Sequence, residues 1–133
     1  MKALYTTVAR WLFALPFAIF GLNHFLHPQA LVPLVPVPGG LFWVYFIGAC
    51  LIAGAIGIGT KVYGRYAALG LALLMLTFIL TIHVPGMMHA ETQPMSMISL
   101  LKDLGLGAGA LTWAGLLEPT RHVTPRVLTE QHA

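Results

Sequence analysis

The chain has 133 residues, of which 58% are hydrophobic and only 8% charged, with seven Lys/Arg against four Asp/Glu. Soluble domains carry roughly 25% charged residues, so this composition excludes an ordinary soluble enzyme, a disordered tail and a nucleic-acid module, which needs a basic patch to neutralise phosphates. The length suits one domain at most, expected to be an all-α integral membrane protein, a four-transmembrane-helix bundle.

A bilayer core of about 30 Å takes roughly 20 apolar residues per helix, and four stretches reach that length. The first, 4–26, carries Arg10 near its start, Pro16 inside it and Asn23 and His24 near its end. It opens after Lys2 as a secretion signal would, but no small-x-small cleavage site follows, so it is expected to stay in the protein. Arg10, Phe17 and His24 are seven apart and share one helix face, with Phe13 and Phe20 beside it. That face is expected to point inward, because Arg10 and His24 are costly against lipid. Pro28, Pro33, Pro36 and Pro38, followed by Gly39 and Gly40, are expected to break the helix into a loop.

The second span, 41–59, contains no ionisable group except the Cys50 thiol. Ala49, Ala53 and Gly57 recur at spacing four, with Gly48 and Gly54 nearby, a pattern that lets helix backbones approach closely in lipid. A single cysteine leaves no partner for an internal disulfide or a catalytic pair and is expected to be inert packing. A polar turn with Lys61 and Arg65 occupies 60–66. The third span, 67–84, holds Thr77, Thr81 and His83 and is expected to end at Pro85 and Gly86. Glu91, Thr92, Gln93 and Pro94 complete the following loop. The fourth span, 98–117, carries Lys102 and Asp103 in its first turns and Gly105 and Gly109 in a GxxxG frame; a polar tail fills 118–133.

The basic residues sort by side. Lys2, Arg10, Lys61, Arg65, Arg121 and Arg126 fall at the two termini and in the middle turn, whereas the loops 27–40 and 85–97 have no Lys or Arg. The excess of Lys/Arg on cytoplasmic loops then sets both termini in the cytoplasm and both Pro-rich loops outside.

Ionisable groups at membrane depth are expensive and mark functional sites by default. Here Asn23, His24, His27, His83, His89, Glu91, Lys102 and Asp103 gather toward the outer side. Lys102 and Asp103 are successive, so their side chains diverge by about 100°, and His24 or His83 is the expected partner of Asp103. The alternative for Lys102 is to neutralise Asp103 near the headgroups with its ammonium turned outward. Asn23, His24, His83, Lys102 and Asp103 form the candidate ligand-binding set, with no catalytic residue or metal ligand assigned. Met87, Met88, Met95 and Met97 lie near His83 and His89, a donor set that suits copper, though without a repeated Met-x-x-Met motif. Haem held between His24 and His83 is a further alternative without diagnostic spacing.

The run from Phe20 through Gly21, Leu22, Asn23 and His24 to Phe25, the loop ending Pro36-Val37-Pro38, Tyr45-Phe46-Ile47-Gly48, Ile82-His83-Val84-Pro85-Gly86, Leu100-Leu101-Lys102-Asp103-Leu104 and Gly107-Ala108-Gly109-Ala110-Leu111 together resemble the DoxX-like family, across residues 9–117. The resemblance implies a four-helix protein of the bacterial inner membrane linked to respiratory and sulfur redox systems. The related DoxD is a subunit of a thiosulfate:quinone oxidoreductase. The chain lacks the redox cysteine pair of a complete oxidoreductase. The expected role is therefore a redox-associated subunit holding a quinone or similar lipophilic ligand, with Phe20, Phe42, Trp43 and Tyr45 packing its ring and tail. A small transporter or channel component, or a structural subunit of a larger complex, are the alternatives. Expected partners are the lipid bilayer, redox-complex subunits or further copies of the chain, and no nucleic acid.

Overall fold

A computed structural model describes residues 1–119. Of the tail expected over 118–133, only Glu118 and Pro119 fall among them; Arg121 and Arg126 lie outside the described residues. The described residues are all-α, with no strand among them. Four long helices carry the fold: α1 (Lys2–Leu26), α3 (Gly40–Thr60), α4 (Gly64–Phe78) and α6 (Gln93–Leu116). Two short ones, α2 (Pro28–Leu31) and α5 (Val84–Met87), lie between them.

Each long helix runs antiparallel to its chain neighbour, as the residues that meet along each pair establish. Arg10 and Trp11 of α1 meet Gly59 of α3, and Gly21 meets Gly48. Between α3 and α4, Gly54 meets Leu71 and Gly57 meets Ala67; between α4 and α6, Gly64 meets Leu117 just past the helix end and Met75 meets Gly107. Phe13 of α1 reaches Gly109 of α6. The shared core is Phe17, Leu51, Ile58, Leu71 and Met75, with Ala14, Ala68 and Ala110 between them.

The closest crossing lies between α1 and α3. A Cβ at Gly21 would stand 2.8 Å from the Gly48 carbonyl oxygen, and one at Gly48 would stand 3.1 Å from the Gly21 carbonyl oxygen. Each glycine thus makes room for the other's backbone. The small-residue frames read from the sequence are redistributed. Ala49 and Ala53 face outward while Gly48, Gly54 and Gly57 are buried. In the GxxxG pair of α6, Gly109 packs on Phe13 but Gly105 faces open space.

Arg10 is buried and its Nε donates to the Gly59 carbonyl at 3.1 Å. Gly59 belongs to the last turn of α3, whose carbonyls have no partner within the helix and carry the negative end of its dipole. Arg10 therefore closes a helix end, which explains a buried cation that has no carboxylate partner among the described residues.

α1 stops at Leu26, ahead of Pro28, as expected, and two prolines of the expected loops also start helices. Pro28 opens α2 and Pro94 opens α6, because the first helical turn needs no N–H from its residues. The loop 27–40 consequently contains α2 and a 3-10 turn, Val32–Leu34. The fourth helix begins at Gln93, five residues before the expected 98, so Lys102 is its tenth residue and lies about 14 Å along it, deeper than the first turns where the sequence reading put it.

The third span does not end at Pro85. Its helix continues to Met87 through a π turn, Ile79–His83, where the Val84 N–H bonds to the Ile79 carbonyl five residues back. Proline has no N–H for the carbonyl four residues before it and its ring crowds that carbonyl; widening the turn accommodates both.

Three helices, Lys2–Leu26, Gly40–Thr60 and Gly64–Met87, are long and apolar enough to cross a membrane. α6 matches them in length, but Lys102 and Asp103 make it the least apolar of the four.

Candidate functional site

The four long helices, with α2, the 3-10 turn and the π turn, converge on one cavity of about 580 Å³, at the end of the molecule opposite Arg10. That lies within the 300–1,000 Å³ usual for small-molecule sites. Asn23, His24, His83, Lys102 and Asp103 all line it, so the fold brings together the whole set singled out in the sequence.

Asp103 is the centre of the polar wall. Its side chain is 4% exposed, and Oδ2 accepts a hydrogen bond from His83 Nε2 at 2.8 Å. Oδ1 lies 3.2 Å from Lys102 Nζ. Of the two histidines that the sequence offered to Asp103, His83 is the partner. The π turn matters here, because it advances the chain so that His83, one turn after Ile79, faces α6. Thr92 Oγ1 donates to the Gly86 carbonyl at 2.6 Å, tying α5 to the start of α6 and fixing how far His83 stands along Asp103.

Lys102 does not turn away from the protein. Its ammonium sits 4.4 Å from the centroid of the Phe20 ring on α1, inside the distance at which a cation is attracted to an aromatic face. The ion pair and this contact hold the ammonium at the rim of the cavity, with the side chain still 45% exposed.

His24 stands on the opposite wall. Its Nδ1 is 2.6 Å from the Phe20 carbonyl of its own helix. A carbonyl only accepts, so Nδ1 carries the hydrogen and, in the neutral ring, Nε2 keeps its lone pair free. Gly48 makes room for the base of this side chain, since a Cβ there would lie 2.7 Å from that of His24. His27 is bound to Asn23 Oδ1 at 2.9 Å and lies outside the cavity lining, as does His89.

The rest of the lining is mostly apolar, with Phe20, Trp43, Val44, Ile47, Leu51, Met75 and Phe78, and adds the hydroxyls of Thr77, Thr81 and Ser99. The end of α2 and the segment after it roof the cavity through Leu31, Leu34, Val35, Pro36 and Val37. That roof is anchored where Gly39 turns with φ +98°, a conformation open to glycine, and where Trp43 Nε1 donates to the Pro38 carbonyl at 3.0 Å. Of the aromatic residues expected at a ring and tail, Phe20 and Trp43 line the cavity. Phe42 and Tyr45 do not: Phe42 stacks on Phe46, and Tyr45 on Phe25, along the outside of α3.

Sequence reasoning missed Ser99, Thr81 and the roof residues as cavity lining. Ser99 precedes Asp103 by four and so shares its face, a signal present in the sequence. Met88 and Met95 are exposed, and among the described residues no three His, Cys, Asp or Glu side chains converge as ligands of a metal ion would.

No protein-family model, curated protein or solved structure matches this chain.

Proposed function

We propose that the chain is a four-span protein of the bacterial inner membrane, DoxX-like in kind, that serves a redox system by holding a quinone or a similar lipophilic ligand in the cavity at its outer end. The observation that carries this reading is the pairing of an apolar chamber with one polar wall made by His83, Asp103 and Lys102.

α6 is read as the fourth span because its two charges pair with each other at the cavity, which reduces what makes them costly in lipid. Lys2, Lys61 and Arg65 lie at one end of the helices and no Lys or Arg lies in the segments 27–39 and 88–92 at the other, so the charge rule sets the cavity on the outer side.

The chemistry of the walls suits a ring bearing oxygens. The Lys102 ammonium can donate to a carbonyl oxygen, and His24 Nε2 can accept from a hydroxyl. His83 and Asp103 form a hydrogen-bonded pair able to hold or pass a proton beside the ligand. Phe20 and Trp43 offer faces for the ring.

The test is to purify the protein in mild detergent and examine it by native mass spectrometry and by thermal shift with added quinone. A bound quinone, or stabilisation that His24→Phe weakens about fivefold in affinity, one neutral hydrogen bond's worth, is the expected result. Protein free of quinone and unmoved by its addition overturns the reading.

A further inference from the structure

A second concavity lies on the flank of the molecule between α3 and α4. It holds about 730 Å³ and runs along α4 from Tyr63 to Thr77, about 21 Å at 1.5 Å per residue. Its floor is the tight contact of Gly54 with Leu71 and of Gly57 with Ala67. It widens at Gly70, where a Cβ would meet nothing within 4 Å.

Two features define what this groove can take. The first is that, short of the Tyr63 phenol at its far end, it presents no free hydrogen-bonding oxygen or nitrogen. Thr60 Oγ1 is spent on the Ile56 carbonyl at 2.7 Å and Thr77 Oγ1 on the Leu73 carbonyl at 2.8 Å; apart from the Cys50 thiol, and the Tyr63 phenol at the end, the remaining lining is apolar. Short of that end, a polar head has nothing to bind. The second is continuity with the polar cavity, since Leu74 and Thr77, one helical turn apart, belong to the walls of both. The cavity ends where the groove begins.

We propose that the groove receives the tail of the ligand whose head occupies the cavity, which makes that ligand a long-tailed isoprenoid lipid with a compact polar ring rather than a small soluble molecule. This inference rests on the reading of the cavity given above and adds the ligand's second half and its route. The head meets Lys102, Asp103 and His24 on one side of α4, and the tail passes Leu74 and Thr77 and lies between α3 and α4 toward Tyr63.

Gly70→Leu is the test, because the added side chain fills the groove without striking the protein. Gly115→Leu on α6, where a Cβ also meets nothing within 4 Å, is the control outside the groove. Affinities are measured in detergent for a quinone without a tail and for one with four isoprene units, in wild type and both variants, so that partition into the micelle cancels between proteins. The expected result is that Gly70→Leu weakens the long-tailed quinone at least fivefold and leaves the tail-less ring unchanged, while Gly115→Leu changes neither. A photoreactive group midway along the tail is expected to label peptides of α3 and α4 in wild type.

If the ring binds and Gly70→Leu affects neither ligand, the tail route is overturned and the reading of the cavity stands. If neither ligand binds the wild type, both fall. A phospholipid retained in wild type and lost from Gly70→Leu with quinone affinity unchanged gives the groove to bulk lipid, and a change of oligomeric state in that variant gives it to a second copy. Either outcome overturns the proposal.

Discussion

His83 and Asp103 stand twenty residues apart in the chain, and Nε2 of the one lies 2.8 Å from Oδ2 of the other. The pair joins the π turn after α4 to the middle of α6, and the second oxygen of the same carboxylate holds Lys102. A buried anion is thus shared between two donors from different elements, which makes Asp103 the residue on which both the packing of α6 and the polarity of the cavity depend.

Asp103→Asn removes the charge that balances Lys102 and is expected to lower stability by about 3 kcal/mol, the lower end of the cost of orphaning a buried partner because Lys102 is half exposed. The double substitution Lys102→Met with Asp103→Leu replaces the pair by apolar groups and is expected to recover much of that loss without restoring quinone binding. Thermal unfolding in detergent, read beside ligand-induced stabilisation, separates the two effects. A double variant that still binds would contradict the assignment of the polar wall.

Gly21→Ala and Gly48→Ala each push a methyl group into the opposing backbone and are expected to cost about 1–3 kcal/mol. Gly105→Ala, facing open space, is expected to be neutral or to stabilise by up to about 1 kcal/mol through helix propensity. Equal effects at the three positions would show that the α1–α3 crossing is not as close as described.

Arg10→Met removes a charge-assisted hydrogen bond at the end of α3 and is expected to cost about 2 kcal/mol. Quinone affinity of the folded protein should not move, because Arg10 is absent from the cavity lining. Affinity that falls with Arg10→Met at temperatures well below unfolding would argue that the two ends of the molecule are coupled.

Topology has a direct check. In a Cys50→Ser background, Met88→Cys is expected to react with a membrane-impermeant maleimide added to intact spheroplasts, and Lys61→Cys only after lysis. The reverse pattern would invert the orientation and bring the cavity to the cytoplasmic side.

Much of this was legible in the residues. Apolar runs bounded by turns located the helices, since length and hydropathy are local properties. The inward face of α1 was readable from the spacing of Arg10, Phe17 and His24, of which the first two are buried and the third half-buried. The convergence of Asn23, His24, His83, Lys102 and Asp103 followed from placing them all toward one end. What was not legible depended on backbone detail. Pro28 read as a breaker and Pro94 as a loop residue; both also sit in first helical turns, and the depth of Lys102 changed with the second. Pro85 gave no sign that the helix would widen around it instead of stopping. Which glycines touch another helix was also hidden: Gly105 and Gly109 look equivalent in a GxxxG frame, and only the rotation of α6 decides that one meets Phe13 and the other nothing.

The unequal apolarity of the long helices bears on how the protein is made. Lys and Asp near the middle of a helix each cost about 2.5–3.5 kcal/mol on insertion from the translocon, so α6 alone is a poor candidate for entering a bilayer. By the time it leaves the ribosome, however, α4 has been synthesised together with the π turn that carries His83, the partner that Asp103 requires. Chain order therefore supplies α6 with a receptor. Glycosylation-site mapping of nascent chains is expected to find α6 inserted efficiently behind α4 and poorly when fused behind an unrelated leader, with His83→Leu shifting the first case toward the second.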